Sequence, residues 1–82
     1  MHLKSKGMEQ YKNIKGTSKV KGYKIEERQI TITFLNNEVY QYSYTSAGHE
    51  HVETMKLLAR AGWGLGAYIE EVAKEGNSKQ LA

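Results

Sequence analysis

The 82-residue chain contains no cysteine and no apolar run long enough to cross a membrane. Without cysteine, disulfides, thiolate metal sites and cysteine nucleophiles are excluded, and the composition fits a reducing compartment. The most apolar segment, residues 57–69, is interrupted by Arg60 and three glycines and is too short for a transmembrane helix. The N-terminal residues have no apolar stretch behind their charges, so they do not resemble a signal peptide. These absences predict a cytoplasmic protein that does not enter a membrane.

Side-chain groups that catalyse reactions or hold cofactors are also missing. No serine or threonine stands in a recognisable arrangement with a histidine and a carboxylate, and no isolated carboxylate pair is present. The stretch "HEHVE" at residues 49–53 departs from the zinc-protease pattern H-E-x-x-H, because Glu53 stands where the second histidine is required. The stretch "GWGLG" at residues 62–66 follows a predicted helix and lacks the spacing of a dinucleotide-binding loop. We therefore expect no enzyme activity, no cofactor and no metal site.

The charge that is present is unevenly distributed. Residues 1–24 hold seven lysines against Glu9 alone, a net charge of +6, whereas residues 25–82 carry a net charge of −3. A lysine-rich segment favours attraction to a polyanion, most often nucleic acid. A lysine-rich terminus that is only solvated is an equally good interpretation.

Apolar periodicity predicts one α+β domain: a three-stranded antiparallel meander, an amphipathic helix packed on it, and a second short helix. The predicted strands are residues 18–25, 29–35 and 38–44, with Gly22 as a bulge or a close backbone approach. The predicted helices are residues 49–61 and 67–75, with Gly62 ending the first. The domain covers residues 17–76, with residues 1–16 expected to be largely disordered and residues 77–82 to be a frayed tail.

The turn between the second and third strands decides which way the tyrosines point. A two-residue turn at Asn36-Asn37 places Thr33 opposite Tyr40 and Thr31 opposite Tyr42. The tyrosines then lie on the sheet face opposite to the apolar side chains of the second strand: Tyr40, Tyr42 and Tyr44 against Ile30, Ile32 and Phe34. The apolar face is expected to be covered by the helix at residues 49–61.

Two interpretations of the tyrosine face follow. A row of rings near lysines is typical of sheets that stack bases of RNA, and Lys19, Lys21 and Lys24 are the candidates for phosphate contacts. Alternatively, the rings pack under the second helix with their hydroxyls reaching solvent, as tyrosine often does on a half-buried sheet. Trp63 either packs on the core or is presented to a partner by its glycine-rich loop.

Several short motifs occur in an order that resembles the KTSC domain, a small bacterial module also found at the C-terminus of some lysyl-tRNA synthetases. They are Ser18-x-Val20-x-Gly22-Tyr23, Ile30-x-Ile32-x-Phe34-x-Asn36, Tyr40-x-Tyr42, and a helix with a glycine link into Tyr68-Ile69. The resemblance covers residues 17–71. It implies that Tyr40 and Tyr42 mark the functional position, with RNA as the suspected ligand. The chain departs from the family at the Asn36-Asn37 turn, where Asn-Gly is usual, and at the glycine link.

The sequence therefore predicts a small non-catalytic binding module, monomeric or homodimeric, that contacts RNA or single-stranded nucleic acid. The predicted contacts are Tyr40, Tyr42, Tyr44, Lys19, Lys21 and Lys24. The alternative is an adaptor or inhibitor that binds another protein through exposed aromatic side chains, on the tyrosine face or at Trp63.

Overall fold

A computed structural model gives the fold, and the residues described are 8–73 and 79–81. The strands are β1 (Glu9–Gln10), β2 (Val20–Glu26), β3 (Gln29–Phe34), β4 (Val39–Ser43) and β5 (Lys79–Gln80), and the helices are α1 (Tyr44–Ala47), α2 (His49–Ala61) and α3 (Leu65–Ala73). All strands pair antiparallel in the order β1-β2-β3-β4-β5. The α+β class is as predicted. The predicted meander is β2–β4, and a two-residue strand extends it at each edge.

Helix α2 begins and ends where the sequence predicts. Its last turn stops at Gly62, whose left-handed backbone (φ 84°) lets its N–H donate to the carbonyl oxygen of Leu58. Val52, Met55 and Ala59 point from one stripe of the helix into the core. The prediction that this helix covers the apolar face of β3 is confirmed, because these side chains form one cluster with Ile30 and Ile32.

The predicted register of the hairpin between β3 and β4 is wrong by one residue. Ile30 pairs with Tyr42 and Ile32 with Tyr40, so the tyrosines share the helix-covered face with the isoleucines. The cause is a three-residue loop: the Phe34 N–H donates to the Glu38 carbonyl oxygen at 2.9 Å. The Asn37 N–H donates to the carbonyl oxygen of Phe34, and Asn37 has a positive φ of 71°. This is a tight turn followed by a left-handed residue, which is the common three-residue hairpin. A shift of one residue moves every side chain of β4 to the other face.

Apart from Val39, which pairs with Thr33, the second face of the sheet is mostly polar. Lys24 pairs with Thr31, and Thr31 with Gln41, in a row across β2, β3 and β4. These side chains alternate with the apolar ones, because successive residues of a strand point to opposite faces. Among the described residues, the hydrophobic core cluster takes no member from this row.

The segment before β2 is part of the fold, contrary to the expectation that residues 1–16 are largely disordered. Glu9 pairs with Tyr23 and Gln10 with Gly22, and Tyr11 is 3% exposed. Gly22 carries the predicted irregularity: the register shifts between Val20 and Gly22, and a Cβ at Gly22 would lie 2.7 Å from the Glu9 carbonyl oxygen. We call residues 8–18 the N-terminal strap. Residues 1–7 lie outside the described residues.

Two further boundaries differ from the prediction. Helix α3 starts at Leu65, two residues earlier than expected, and Leu65 is fully buried in the core. Residues 79–81, which the sequence assigns to a frayed tail, run along β4: Tyr40 pairs with Gln80, and the Leu81 N–H donates to the Val39 carbonyl oxygen. The rest of that predicted tail, residues 77, 78 and 82, lies outside the described residues.

Candidate functional site

A groove of about 1180 Å³ opens between the N-terminal strap, the start of α3 and the hairpin of β3 and β4. We call it the aromatic groove. Its charged and large apolar lining residues are Tyr11, Lys15, Lys19, Phe34, Leu35, Glu38, Tyr40, Tyr42, Trp63, Ile69 and Glu70. Each of its three walls comes from a different part of the chain.

The sheet wall carries a pair of aromatic rings. Phe34 and Tyr40 lie on neighbouring strands, with ring centroids 5.6 Å apart and ring planes at 81°, the edge-to-face arrangement that aromatic pairs favour. The Tyr40 hydroxyl donates to Glu38 Oε1 at 3.4 Å. Burial raises the pKa of Tyr40 above its ordinary value, and the Glu38 carboxylate raises it further. Tyr40 is therefore a neutral ring, held in place by Phe34 and Glu38.

The helix wall carries the only tryptophan of the chain. Trp63 follows Gly62, where α2 ends, and 50% of its surface is exposed. The Ile14 N–H donates to the Gly62 carbonyl oxygen at 2.8 Å, which ties the N-terminal strap to this corner. Of the two interpretations of Trp63, packing on the core does not hold, because the core cluster includes Leu65 and not Trp63. Presentation of Trp63 to a partner stays a prediction.

The strap wall supplies positive charge next to these rings. Lys15 Nζ lies 5.5 Å from the centroid of the Trp63 ring, a cation–π distance. Lys19 lines the same groove, and its carbonyl oxygen accepts a hydrogen bond from the Leu35 N–H. Both lysines are exposed. A ligand entering the groove therefore meets aromatic faces and ammonium groups together.

The sequence-predicted residues divide among several places. Lys19, Tyr40 and Trp63 come together in the aromatic groove, and Tyr42 contributes to its lining although it is only 1% exposed. Lys21 is near the hairpin tip, where its Nζ donates to Asn37 Oδ1 at 3.2 Å.

Two predicted contacts lie elsewhere. Tyr44 is the first residue of α1, and its hydroxyl donates to Glu53 Oε2 at 2.6 Å. Lys24 belongs to the polar face of the sheet. The row of three stacking tyrosines that the sequence predicts is therefore not formed.

Sequence reasoning missed Lys15, Phe34 and Glu38 as lining residues. The apolar alternation of β3 predicts Phe34 in the core, and Phe34 does pack against the core cluster while also lining the groove. Lys15 lies in a segment without periodicity, so no pattern pointed to it. Glu38 and Glu70 give the groove two negative charges beside its two lysines.

Other kinds of site find no match in the described part of the chain. Within residues 8–73 and 79–81, no group of three or more histidines, cysteines or carboxylates is placed to hold a metal ion. Glu53, from the "HEHVE" stretch, instead binds Lys56 at 2.9 Å. None of the helices described has the length and apolar character needed to cross a membrane.

Comparison with known proteins adds no relative. No known protein family matches this sequence, and no curated protein or solved structure is significantly similar to it.

Proposed function

We propose that this chain is a non-catalytic module that binds single-stranded nucleic acid in the aromatic groove. One observation carries the proposal: the aromatic residues Phe34, Tyr40 and Trp63 line the same groove as Lys15 and Lys19. Single-strand binders combine rings that stack on bases with cations that neutralise phosphates.

The shape of the site favours single strands over duplexes. The rings line a concave groove rather than a flat sheet face, so a base must leave its stack to reach them. An unstacked base in a single strand reaches them without breaking a base pair. Each base that stacks on a ring contributes about 1–3 kcal/mol to the binding free energy, so two or three rings together give a measurable affinity.

The surrounding charge supports the same ligand. Lys12, Lys15, Lys19 and Lys21 are all exposed, and they lie on the strap and at the start of β2. A nucleic-acid strand that leaves the groove along this side passes the ammonium groups of these lysines. Each phosphate that they neutralise releases counterions and makes the affinity depend on salt.

The proposal is tested by fluorescence anisotropy with labelled mixed-sequence RNA and single-stranded DNA of about 12 nucleotides. Trp63→Ala and Tyr40→Ala are each expected to weaken binding by about tenfold, because each removes one stacking ring. Quenching of the emission of Trp63 on titration reports directly whether a base reaches the ring. Lys15→Gln is expected to reduce the dependence of log K on log salt by about 0.7.

The control is Leu57→Ala, which removes a 66% exposed apolar side chain from α2 and leaves the groove unchanged. Circular dichroism and melting curves confirm that each variant is folded. If the wild-type protein binds neither RNA nor single-stranded DNA at about 50 mM salt, the proposal is wrong.

A second candidate is the binding of another protein in the same groove. The exposed apolar side chain of Leu35, together with Glu38 and Glu70, favours it, because a nucleic acid does not need them. In that case Trp63→Ala abolishes binding to a protein partner, and the nucleic-acid titrations are flat.

The resemblance of residues 17–71 to the KTSC domain stays a prediction. The groove does not depend on it, since the lining residues are observed in the structure.

A further inference from the structure

Glu38 lies beside the ring pair with its backbone held at both ends. Its N–H donates to Asn36 Oδ1 at 2.9 Å, and its carbonyl oxygen accepts the Phe34 N–H at 2.9 Å. Its side chain accepts a hydrogen bond of 3.4 Å from the Tyr40 hydroxyl. The contact with the Tyr40 hydroxyl places the carboxylate beside the Phe34–Tyr40 pair, and Glu38 is one of the residues that line the groove.

An ionised carboxylate accepts hydrogen bonds and donates none. Its two oxygens offer about four lone-pair positions, and the long bond from Tyr40 occupies one of them. A base stacked on the ring pair brings its edge close to the remaining lone-pair positions of the Glu38 carboxylate. Cytosine, adenine and guanine carry exocyclic amino groups that donate to a carboxylate, whereas uracil offers one N–H between two carbonyl oxygens that a carboxylate repels.

The nearby amides do not provide the same acceptor. The Asn13 amide is bound to the backbone of Ser18 through both of its ends, at 3.1 and 3.2 Å. The Asn36 side-chain oxygen accepts the Glu38 N–H. The other carboxylate of the groove, Glu70, is an exposed residue of α3 and lies on a different wall from the ring pair.

We infer that the aromatic groove prefers single strands whose bases carry an exocyclic amino group, and that Glu38 sets this preference. The inference rests on the proposed function and names the class of base that the site selects. Lys15 and Lys19 contact phosphates, which are the same in every sequence, so they contribute affinity without preference.

The test compares oligocytidine with oligouridine of about 12 nucleotides at neutral pH. These two ligands have the same phosphates and similar rings, and they differ at the edge that Glu38 meets. The wild-type protein is expected to bind oligocytidine about tenfold more tightly. In Glu38→Gln the ratio is expected to fall to within about twofold, because an amide both donates and accepts. The ratio in the wild type stays constant as salt weakens both affinities, because counterion release depends on phosphates alone.

Two variants with the same charge change serve as comparisons. Glu50→Gln lies in the first turn of α2 and is expected to leave the ratio unchanged. Glu70→Gln removes the other carboxylate of the groove and is expected to keep most of the preference. Loss of the preference in Glu70→Gln, with its retention in Glu38→Gln, contradicts the role of Glu38.

The outcomes separate this inference from the proposed function. Binding of both oligonucleotides by the wild type with equal affinity overturns the base preference and leaves the single-strand site intact. Binding of neither one overturns both. Melting curves of Glu38→Gln establish that a changed ratio does not come from a disturbed hairpin.

Discussion

At the scale of single residues, Lys56 is a charged side chain in a buried position. It is 5% exposed, and its Nζ donates to the Glu27 carbonyl oxygen at 2.8 Å and to Glu53 Oε2 at 2.9 Å. The centroid of the Tyr44 ring lies 5.6 Å from the same Nζ, and the Tyr44 hydroxyl donates to Glu53. Burial of an ammonium group is tolerated only when it is paired and hydrogen-bonded, as Lys56 is. This network fastens α2 to the turn between β2 and β3.

The network predicts a specific loss of stability in acid. The hydrogen bond from Tyr44 lowers the pKa of Glu53 below its ordinary value of 4.5, and the hydrogen bond from Lys56 lowers it further. A carboxyl group with a depressed folded-state pKa contributes stability above its unfolded value, and this contribution is lost as the pH falls through the folded value. Glu53→Gln is expected to melt lower than the wild type at about pH 7 and to lose less of its melting temperature between about pH 7 and pH 3.

Glu50→Gln is the matched control, because it removes an exposed carboxylate from the same helix. The melting temperature of Glu50→Gln should fall with decreasing pH by the same amount as that of the wild type. If the melting temperature of Glu53→Gln also falls by the same amount as that of the wild type, the Glu53 carboxylate contributes nothing to acid sensitivity.

At the scale of elements, the hairpin between β3 and β4 determines which side chains reach the groove. Its loop needs one left-handed residue, and Asn37 provides it with φ 71°. Asparagine adopts this conformation more readily than other residues with a Cβ. Because the loop has three residues rather than two, Tyr42 enters the core and Tyr40 joins the groove. The length of this loop thus determines which side chains of β4 reach the candidate site.

The requirement for a left-handed residue predicts an order of stabilities. Asn37→Gly is expected to be as stable as the wild type or slightly more stable, whereas Asn37→Ala is expected to lose about 1 kcal/mol. The Asn37 side chain accepts a hydrogen bond from Lys21, but that bond is exposed and contributes little. Urea denaturation of the two variants measures the difference directly, since both remove the same hydrogen bond. Equal stabilities of the glycine and alanine variants would contradict a strained turn.

The sequence predicted an element correctly where its pattern of apolar residues fits only one type of secondary structure. The 3.6-residue stripe of Val52, Met55 and Ala59 permits only a helix, and α2 has the predicted bounds. The alternation of β3 likewise permits only a strand. Asn36-Asn37 suits both a two-residue and a three-residue loop. Two registers are therefore compatible with the sequence, and they place each β4 side chain on opposite faces of the sheet. The energy of burying Tyr42 in the core decides between them, and that energy depends on the whole fold.

At the scale of the whole molecule, the N-terminal strap joins the two layers. β1 extends the sheet, Tyr11 fills the core, and the Tyr11 hydroxyl accepts the Leu65 N–H at the start of α3. Its close packing depends on glycines elsewhere in the chain: a Cβ at Gly62 would lie 2.8 Å from the Cβ of Lys12. The strap itself has no apolar period, so its role could not be read from its own residues. The glycines against which the strap packs can be recognised as packing positions only once the fold is known.

The packing of Tyr11 in the core predicts that a chain without the strap is an incomplete domain, and a truncation tests this. A chain that starts at Thr17 lacks Tyr11 and one wall of the groove, and it is expected to lose about 3–5 kcal/mol, the usual cost of removing a buried aromatic side chain. Small domains have little stability in reserve, so this chain should be largely unfolded by circular dichroism.

A finer variant separates the two roles of Tyr11. Tyr11→Phe retains the ring and leaves the Leu65 N–H without its acceptor, which is expected to cost about 1–3 kcal/mol. Tyr11→Ala should approach the cost of the truncation, because most of the stabilisation comes from the buried ring. If the chain starting at Thr17 folds with the melting temperature of the full protein, the strap is not part of the core. The groove would then lack one of its walls without loss of the fold.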